Sequence, residues 1–279
     1  MARTRVRIPA VPSHRSVPAS LALTLAAGLA FTATACGGDS EKSGSAGKGS
    51  KGGSPSVVVT TTWEGAFAKA AGARDVRVIV PKSVHHAPDY DPKPSDLAAV
   101  ADADFVLYAP FEPYAAKIKD AAGSDAELVE VGLDNDAAKV TAEVTRLGKK
   151  FGTEAAAARW NTTFKAEYGK LHKELTASWP GGRAPKVAAQ TFTAWSAKLA
   201  GADVVGTYGP EAVTAKQLSD LSEKKPALVL DNAHMTTGKV LPDSGARQVE
   251  IVNYPGEDLD LLAVYRDAAG AVKKGMGES

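Results

Sequence analysis

Short apolar runs rich in Val, Ile and Leu recur from residue 57 to residue 252, and between them the apolar positions fall at helical spacing. Residues 57–61, 76–80, 105–109 and 128–131 read as buried strands, with helices at 64–71 and 95–101. The second half repeats the pattern, with strands at 187–189, 203–207, 228–230 and 250–252 and helices at 213–222 and 259–273. Strands that alternate with helices predict βαβ units and parallel sheets. Between the halves, Trp160, Phe164, Tyr168, Leu171, Leu175 and Trp179 recur at intervals of four, four, three, four and four, which puts all six on one face of a helix. Thr153 and Glu154 can start that helix, and Pro180-Gly181-Gly182 stops it. The predicted fold is therefore α/β: two lobes, each a small parallel sheet flanked by helices, joined by one long, stiff backbone helix.

The N-terminal stretch follows a different pattern. Arg3, Arg5, Arg7 and Arg15 form a basic region without an acid, and residues 19–35 are apolar or small and uncharged. That run is shorter than the roughly 20 residues of a membrane span and ends in small residues, as an export signal does. Ala33-Thr34-Ala35-Cys36 resembles a bacterial lipobox, with Ala33 where Leu is usual. Cys36 is the only cysteine, so no internal disulfide can form. A lone thiol can be a lipidation site, a buried bystander or an intermolecular partner, and its place at the end of the apolar run selects lipidation. Residues 37–56 are dominated by Gly, Ser and Lys without a large apolar side chain, the composition of a flexible tether. The expected organisation is a signal peptide at 1–35, a lipidated Cys36 and linker at 36–56, a first α/β lobe at 57–150, the connecting helix at 151–180 and a second lobe at 181–279.

Acids and bases nearly balance, for a formal net charge of +1, so nothing points to nucleic acid as a partner. In open parallel sheets, ligands bind beyond the C-terminal ends of the strands. The polar residues just past the predicted ends are His85, His86, Asp89 and Asp91 after the second strand, and Glu130 and Asp134 at the fourth. In the second half they are Gln190 after its first strand, then Asp231, Asn232 and His234. Taken singly, each can be a loop or turn residue; Asp231 and Asn232, for instance, suit a turn before Met235. Taken together, they point to a shared cleft, and imidazole with carboxylate suits zinc, manganese or iron. His172 lies on the connecting helix beside Leu171 and reads as a solvated residue.

These residues carry a family resemblance. Residues 57–112 resemble the first lobe of metal-binding lipoproteins that serve zinc and manganese ABC importers. The most specific piece is Asp91-Pro92-Lys93-Pro94-Ser95-Asp96-Leu97, which looks like that family's Glu-Pro-x-Pro-Ser-Asp motif, followed by Ala103-Asp104-Phe105-Val106-Leu107-Tyr108. Residues 228–256 are similar to the second lobe of one branch of the family. The resemblance implies two lobes on one long helix, capture of a divalent cation between them, delivery to an ABC permease with its ATPase, and no enzymatic activity.

Carried over one position at a time, the family's first His falls in register on Pro88, with His86 and His85 just upstream. Its second His falls on Glu130, its third ligand on Gln190, and its acidic ligand on Asp231, with His234 three residues beyond. Oxygen donors outweigh nitrogen in this set, which favours manganese or another hard ion as much as zinc. The resulting expectation is a monomeric lipoprotein, anchored through Cys36 on the extracytoplasmic face of the cell membrane, that carries zinc or manganese as a transported ligand. One alternative keeps the fold and binds a metal complex or small organic molecule, with Gln190, Trp195 and Tyr208 lining a roomier cleft. A secreted metal-dependent hydrolase is the weakest, because neither His-Glu-x-x-His nor Gly-x-Ser-x-Gly occurs.

Overall fold

The structure is a computed structural model and describes residues 55–84, 87–236 and 238–277. The leader, Cys36 and nearly all of the linker lie outside the described residues. No helix among the described residues is long and apolar enough to cross a membrane.

The first sheet consists of β1 (Ser56–Val59), β2 (Asp75–Val78), β3 (Phe105–Tyr108) and β4 (Glu127–Glu130), all parallel, in the order β2-β1-β3-β4. Helices α1 (Thr62–Ala70), α2 (Pro94–Ala101) and α3 (Ala115–Ala121) connect its strands. Helices on both faces explain why these strands read as unbroken apolar runs. Val57, Val59, Leu107 and Val129 bury on one face, and Val58 and Val106 on the other. After β4 come α4 (Ala137–Phe151) and α5 (Glu154–Ala177). The second sheet then repeats the first with β5 (Lys186–Gln190), β6 (Asp203–Tyr208), β7 (Leu228–Asn232) and β8 (Arg247–Ile251) in the order β6-β5-β7-β8, again all parallel. Its helices are α6 (Ala194–Ala200), α7 (Ala215–Glu223) and α8 (Leu261–Gly275).

The long connecting helix is α5, of 24 residues. Phe164, Leu171 and Leu175 are buried on it, and Trp160 and Tyr168 are half-buried on the same stripe; Trp179, expected there as the sixth, lies beyond the helix end in extended backbone and is half-buried. Trp160 stacks on Phe164 at 5.1 Å, and Phe164 meets Tyr265 of α8 edge-on at 4.9 Å. Tyr265 in turn meets Trp195 of α6 edge-on at 5.0 Å. One apolar core thus runs from Val57 and Leu107 of the first sheet, through α5 and α8, to Ala189 and Leu230 of the second. Each large side chain fully buried in it contributes about 1.5–3 kcal/mol. Polar bonds cross the same junction: the Asn135 amide donates to the Asn253 carbonyl at 2.6 Å, and the Tyr265 hydroxyl donates to the Asn135 carbonyl at 2.8 Å. The Thr62 hydroxyl donates to the Pro255 carbonyl at 3.0 Å. A junction filled in this way is stiff.

Several local expectations need correction. His172 is not simply solvated: it is half-buried, and its Nδ1 lies 2.9 Å from the Leu199 carbonyl. The last carbonyls of a helix lack partners within it, and this imidazole supplies one at the end of α6. Helices α3, α4 and α6 add to the helices that the sequence predicts. Strand β8 extends over Arg247–Ile251 rather than 250–252, because its exposed Arg247 and Glu250 interrupt the apolar pattern of an edge strand.

Candidate functional site

In each sheet the chain leaves the first strand in one direction and later returns on its other side. The crevice at such a reversal lies between β1 and β3 in the first sheet, and between β5 and β7 in the second. In the second sheet, strand alternation and register put Gln190, Tyr208 and Asp231 on one face at the C-terminal end. Asp231 is 2 % exposed. Its Oδ1 accepts from the Tyr208 hydroxyl at 2.8 Å and its Oδ2 from the Gln248 amide at 3.1 Å. Gln248 also donates to the Gly238 carbonyl and accepts from the Val240 N–H, which ties the segment after β7 to the same carboxylate. Burial, followed by the Asp231 carboxylate, pushes the Tyr208 phenol well above its usual range, so it stays a donor.

Gln190 is 3 % exposed; its Oε1 accepts from the Phe192 N–H at 2.6 Å, while its Nε2 is buried without a partner. Gly209 has φ +70°, and a side chain there would sit 3.3 Å from that nitrogen, so glycine is what admits the amide. Asn232 takes the turn role, its Oδ1 accepting from the His234 N–H at 3.0 Å. The His234 ring stacks on Tyr254 at 3.9 Å, and Tyr254 lies 6.0 Å from Trp63 at the start of α1. This aromatic row runs from the second lobe to the first. Partial burial lowers the His234 pKa, which leaves a neutral imidazole able to take a metal.

In the first sheet, the loop after β2 carries His85 and His86, which lie outside the described residues. The motif that follows is a helix start. Lys93 is the N-cap of α2 and Pro94 its first residue, and the buried Asp96 accepts from the Lys93 N–H at 2.9 Å and the Tyr90 hydroxyl at 2.7 Å. Burial and the Asp96 carboxylate push the Tyr90 phenol up to about 12. Asp91 pairs with Lys117 and Asp134 with Lys139, both at the surface. Glu130 is exposed at the end of edge strand β4, where its carbonyl accepts from Arg146. Among the described residues, no three His, Cys, Asp or Glu side chains converge as a metal would require.

The chain matches no protein-family model, and no curated protein matches it in sequence. Solved structures do match. The laminin-binding protein Lbp of Streptococcus pyogenes is 18% identical, covering 80% of this chain and 98% of that one, with a TM-score of 0.57. The laminin-binding protein Lmb of Streptococcus agalactiae, described as a bifunctional protein with adhesin and metal transporting activity, is 18% identical over 80% and 100%, with a TM-score of 0.58. A zinc-bound ZnuA deletion mutant is 17% identical over 81% and 100%, with a TM-score of 0.61. The chain shares their fold. The resemblance read from the sequence therefore holds at the level of architecture.

Two expectations about the cleft are corrected. Trp195 and Tyr208 do not line an open space: both are buried, Trp195 donating to Asn253 Oδ1 at 2.8 Å and Tyr208 to Asp231. Two acids that the sequence reading passed over occupy the crevice edge of the first sheet instead. Glu64 follows β1 and is 0 % exposed, and Glu112 follows β3 and is 7 % exposed. The spacing Thr61-x-x-Glu64 was readable as a capping box, and the structure forms one. The burial of these acids had no signal in the sequence.

Proposed function

We propose that this chain captures a divalent cation, zinc or manganese, between its two lobes and delivers it to an ABC permease energised by an ATPase. The reading is supported chiefly by Asp231, a buried carboxylate held by two donors at the crevice of the second sheet, in a fold shared with a zinc-bound ZnuA and a metal-transporting Lmb. Each Asp231 oxygen accepts one hydrogen bond and keeps a further acceptor position for a cation. The ligand set is drawn from His85, His86, Glu130, Gln190, Asp231 and His234, with Asp231 as the fixed member. Cys36 carries the lipid, residues 37–56 form the tether, and the chain works as a monomer on the extracytoplasmic face of the membrane. The division proposed is a first lobe at 57–150, a connecting segment at 151–180 that contains α5, and a second lobe at 181–279. The protein's part is binding rather than chemistry, and the shared core keeps closure small.

Metal-free protein titrated with zinc or manganese should melt at a higher temperature. A ligand that binds only the folded state adds RT ln(1+[L]/Kd), about 2.7 kcal/mol at a hundredfold excess over Kd. The same titration of Asp231→Ala should give no rise. Absence of a shift with every first-row divalent ion in the unaltered chain would refute the reading.

One observation favours a second ligand class. The buried Gln190 Nε2 is a donor without an acceptor, and a bare cation cannot satisfy it. A cation carried inside an oxygen-bearing chelate could. Native mass spectrometry separates the two, since an organic adduct adds mass that a bare ion does not.

A further inference from the structure

We propose that Thr60, Glu64 and Glu112 form a buried proton-binding site at the crevice edge of the first sheet, where one proton is shared between the two carboxyls through the Thr60 hydroxyl. The inference does not depend on whether the chain binds a metal.

Thr60 is the residue after β1, Glu64 lies in the first turn of α1, and Glu112 follows β3 on the other side of the switch point. Thr60 and Glu64 are wholly buried and Glu112 nearly so. Three of the four carboxyl oxygens have partners. Glu64 Oε2 accepts from the N–H and the hydroxyl of Thr61. Glu112 Oε2 accepts from the Ala109 N–H at 3.0 Å, and Oε1 from the Tyr114 hydroxyl at 3.0 Å. Glu64 Oε1 is left without a partner, and so is the Thr60 hydroxyl.

Two carboxylates buried at one sheet edge cannot both stay ionised without a counter-charge. Among the described residues, the groups that bond to the two carboxyls are Thr61, Ala109 and Tyr114, and none of these is a cation. A single added proton resolves the orphans together. Protonated Glu64 Oε1 donates to Thr60 Oγ1, and the Thr60 hydrogen then points to Glu112, since a hydroxyl can accept and donate at once. Burial, followed by the charge of Glu64, pushes the Glu112 carboxyl up to about 8, and burial raises that of Glu64. The pair therefore holds its proton at neutral pH. The neighbouring residue, Thr62, is the one that bonds to Pro255 across the lobe junction, so the site lies beside that contact.

Infrared spectroscopy of the metal-free full chain tests the assignment directly, because a neutral carboxyl and a carboxylate absorb at different frequencies. At about pH 6 a neutral-carboxyl band should be present, and it should disappear by about pH 10. The band should disappear at lower pH in Glu112→Gln, which keeps a carbonyl for the Ala109 N–H, and in Glu64→Gln, because each removes the like charge beside the remaining acid, and it should shift in Thr60→Val. If one glutamine variant fails to fold, the other carries the same test. A spectrum with only carboxylates at about pH 6 would overturn the proposal. So would a neutral-carboxyl band unchanged in both glutamine variants, or carboxylate bands that move with added sodium or calcium in place of a neutral-carboxyl band.

Discussion

The two sheets share one strand order and one switch point, yet they treat buried acid there in opposite ways. In the second sheet a single carboxylate, Asp231, faces two donors, Tyr208 and Gln248. In the first, two carboxyls are buried at the same sheet edge, with one oxygen of Glu64 unpartnered. The same topology thus produces an acceptor with spare capacity on one side and a proton-holding pair on the other. What differs is which side chains the neighbouring elements bring in: a tyrosine of β6 and a glutamine of β8, or a second glutamate after β3. Strand order decides where a site can lie, and local donors decide what it can hold.

That comparison can be broken most severely in the second lobe. Asp231→Ala leaves the buried Tyr208 hydroxyl without its acceptor and takes one of two from the Gln248 amide, and a buried group left unsatisfied costs about 1–3 kcal/mol. Urea unfolding should show a loss in that range or above it, together with loss of any response to metal. Tyr208→Phe removes one of the two donors and keeps the ring, so a smaller loss of about 1–2 kcal/mol is expected. A larger effect for Tyr208→Phe than for Asp231→Ala would mean that the carboxylate is not the centre of that network.

In the first lobe the expected effect depends on pH. A carboxyl whose folded pKa is raised adds stability that is complete below its unfolded pKa, near 4.5, and is lost as pH rises through about 8. The unaltered chain should therefore lose stability across that window, and Glu112→Gln, which has one raised acid fewer to titrate, should lose less. Parallel melting curves for the two proteins over the window would erase the contrast between the lobes.

The smallest effect belongs to the lobe junction. Lys198 bonds to Asp136 at 2.6 Å across it, and that bond holds the Asp136 carboxyl below its ordinary range. The lysine is largely exposed, so Lys198→Ala should cost only about 0.2–1 kcal/mol at neutral pH. The difference should fade in high salt and vanish in acid, as pH falls through the depressed pKa of Asp136.

Much of the architecture was legible. Runs such as Val57-Val58-Val59 and Leu228-Val229-Leu230 bury on both faces, so composition alone marks them as strands. The five aromatic and leucine positions of α5, from Trp160 to Leu175, mark its buried face as clearly. Helix α6, of 7 residues, is too short to show a period and is held by packing around Trp195. Helix α4 does carry one, in Val140, Val144, Leu147 and Phe151, and could have been read. At the site, Asp231 followed from its place at the end of an apolar strand. Glu64 and Glu112 did not, because an acid's burial depends on what the rest of the chain packs over it. Trp195 and Tyr208 were misplaced for the same reason: an aromatic ring gives no sign of whether it lines a cleft or fills a core.

The most direct test of cation capture is X-ray absorption at the metal edge of zinc-loaded or manganese-loaded protein, compared with a variant in which His85 and His86 are both alanine and with Asp231→Ala. Capture between the lobes predicts one bound ion with imidazole nitrogen among its neighbours. That nitrogen signal should drop in the histidine variant, and the ion should be lost in Asp231→Ala. An ion that stays bound with an unchanged spectrum in both variants, or no bound ion in the unaltered chain, would contradict it.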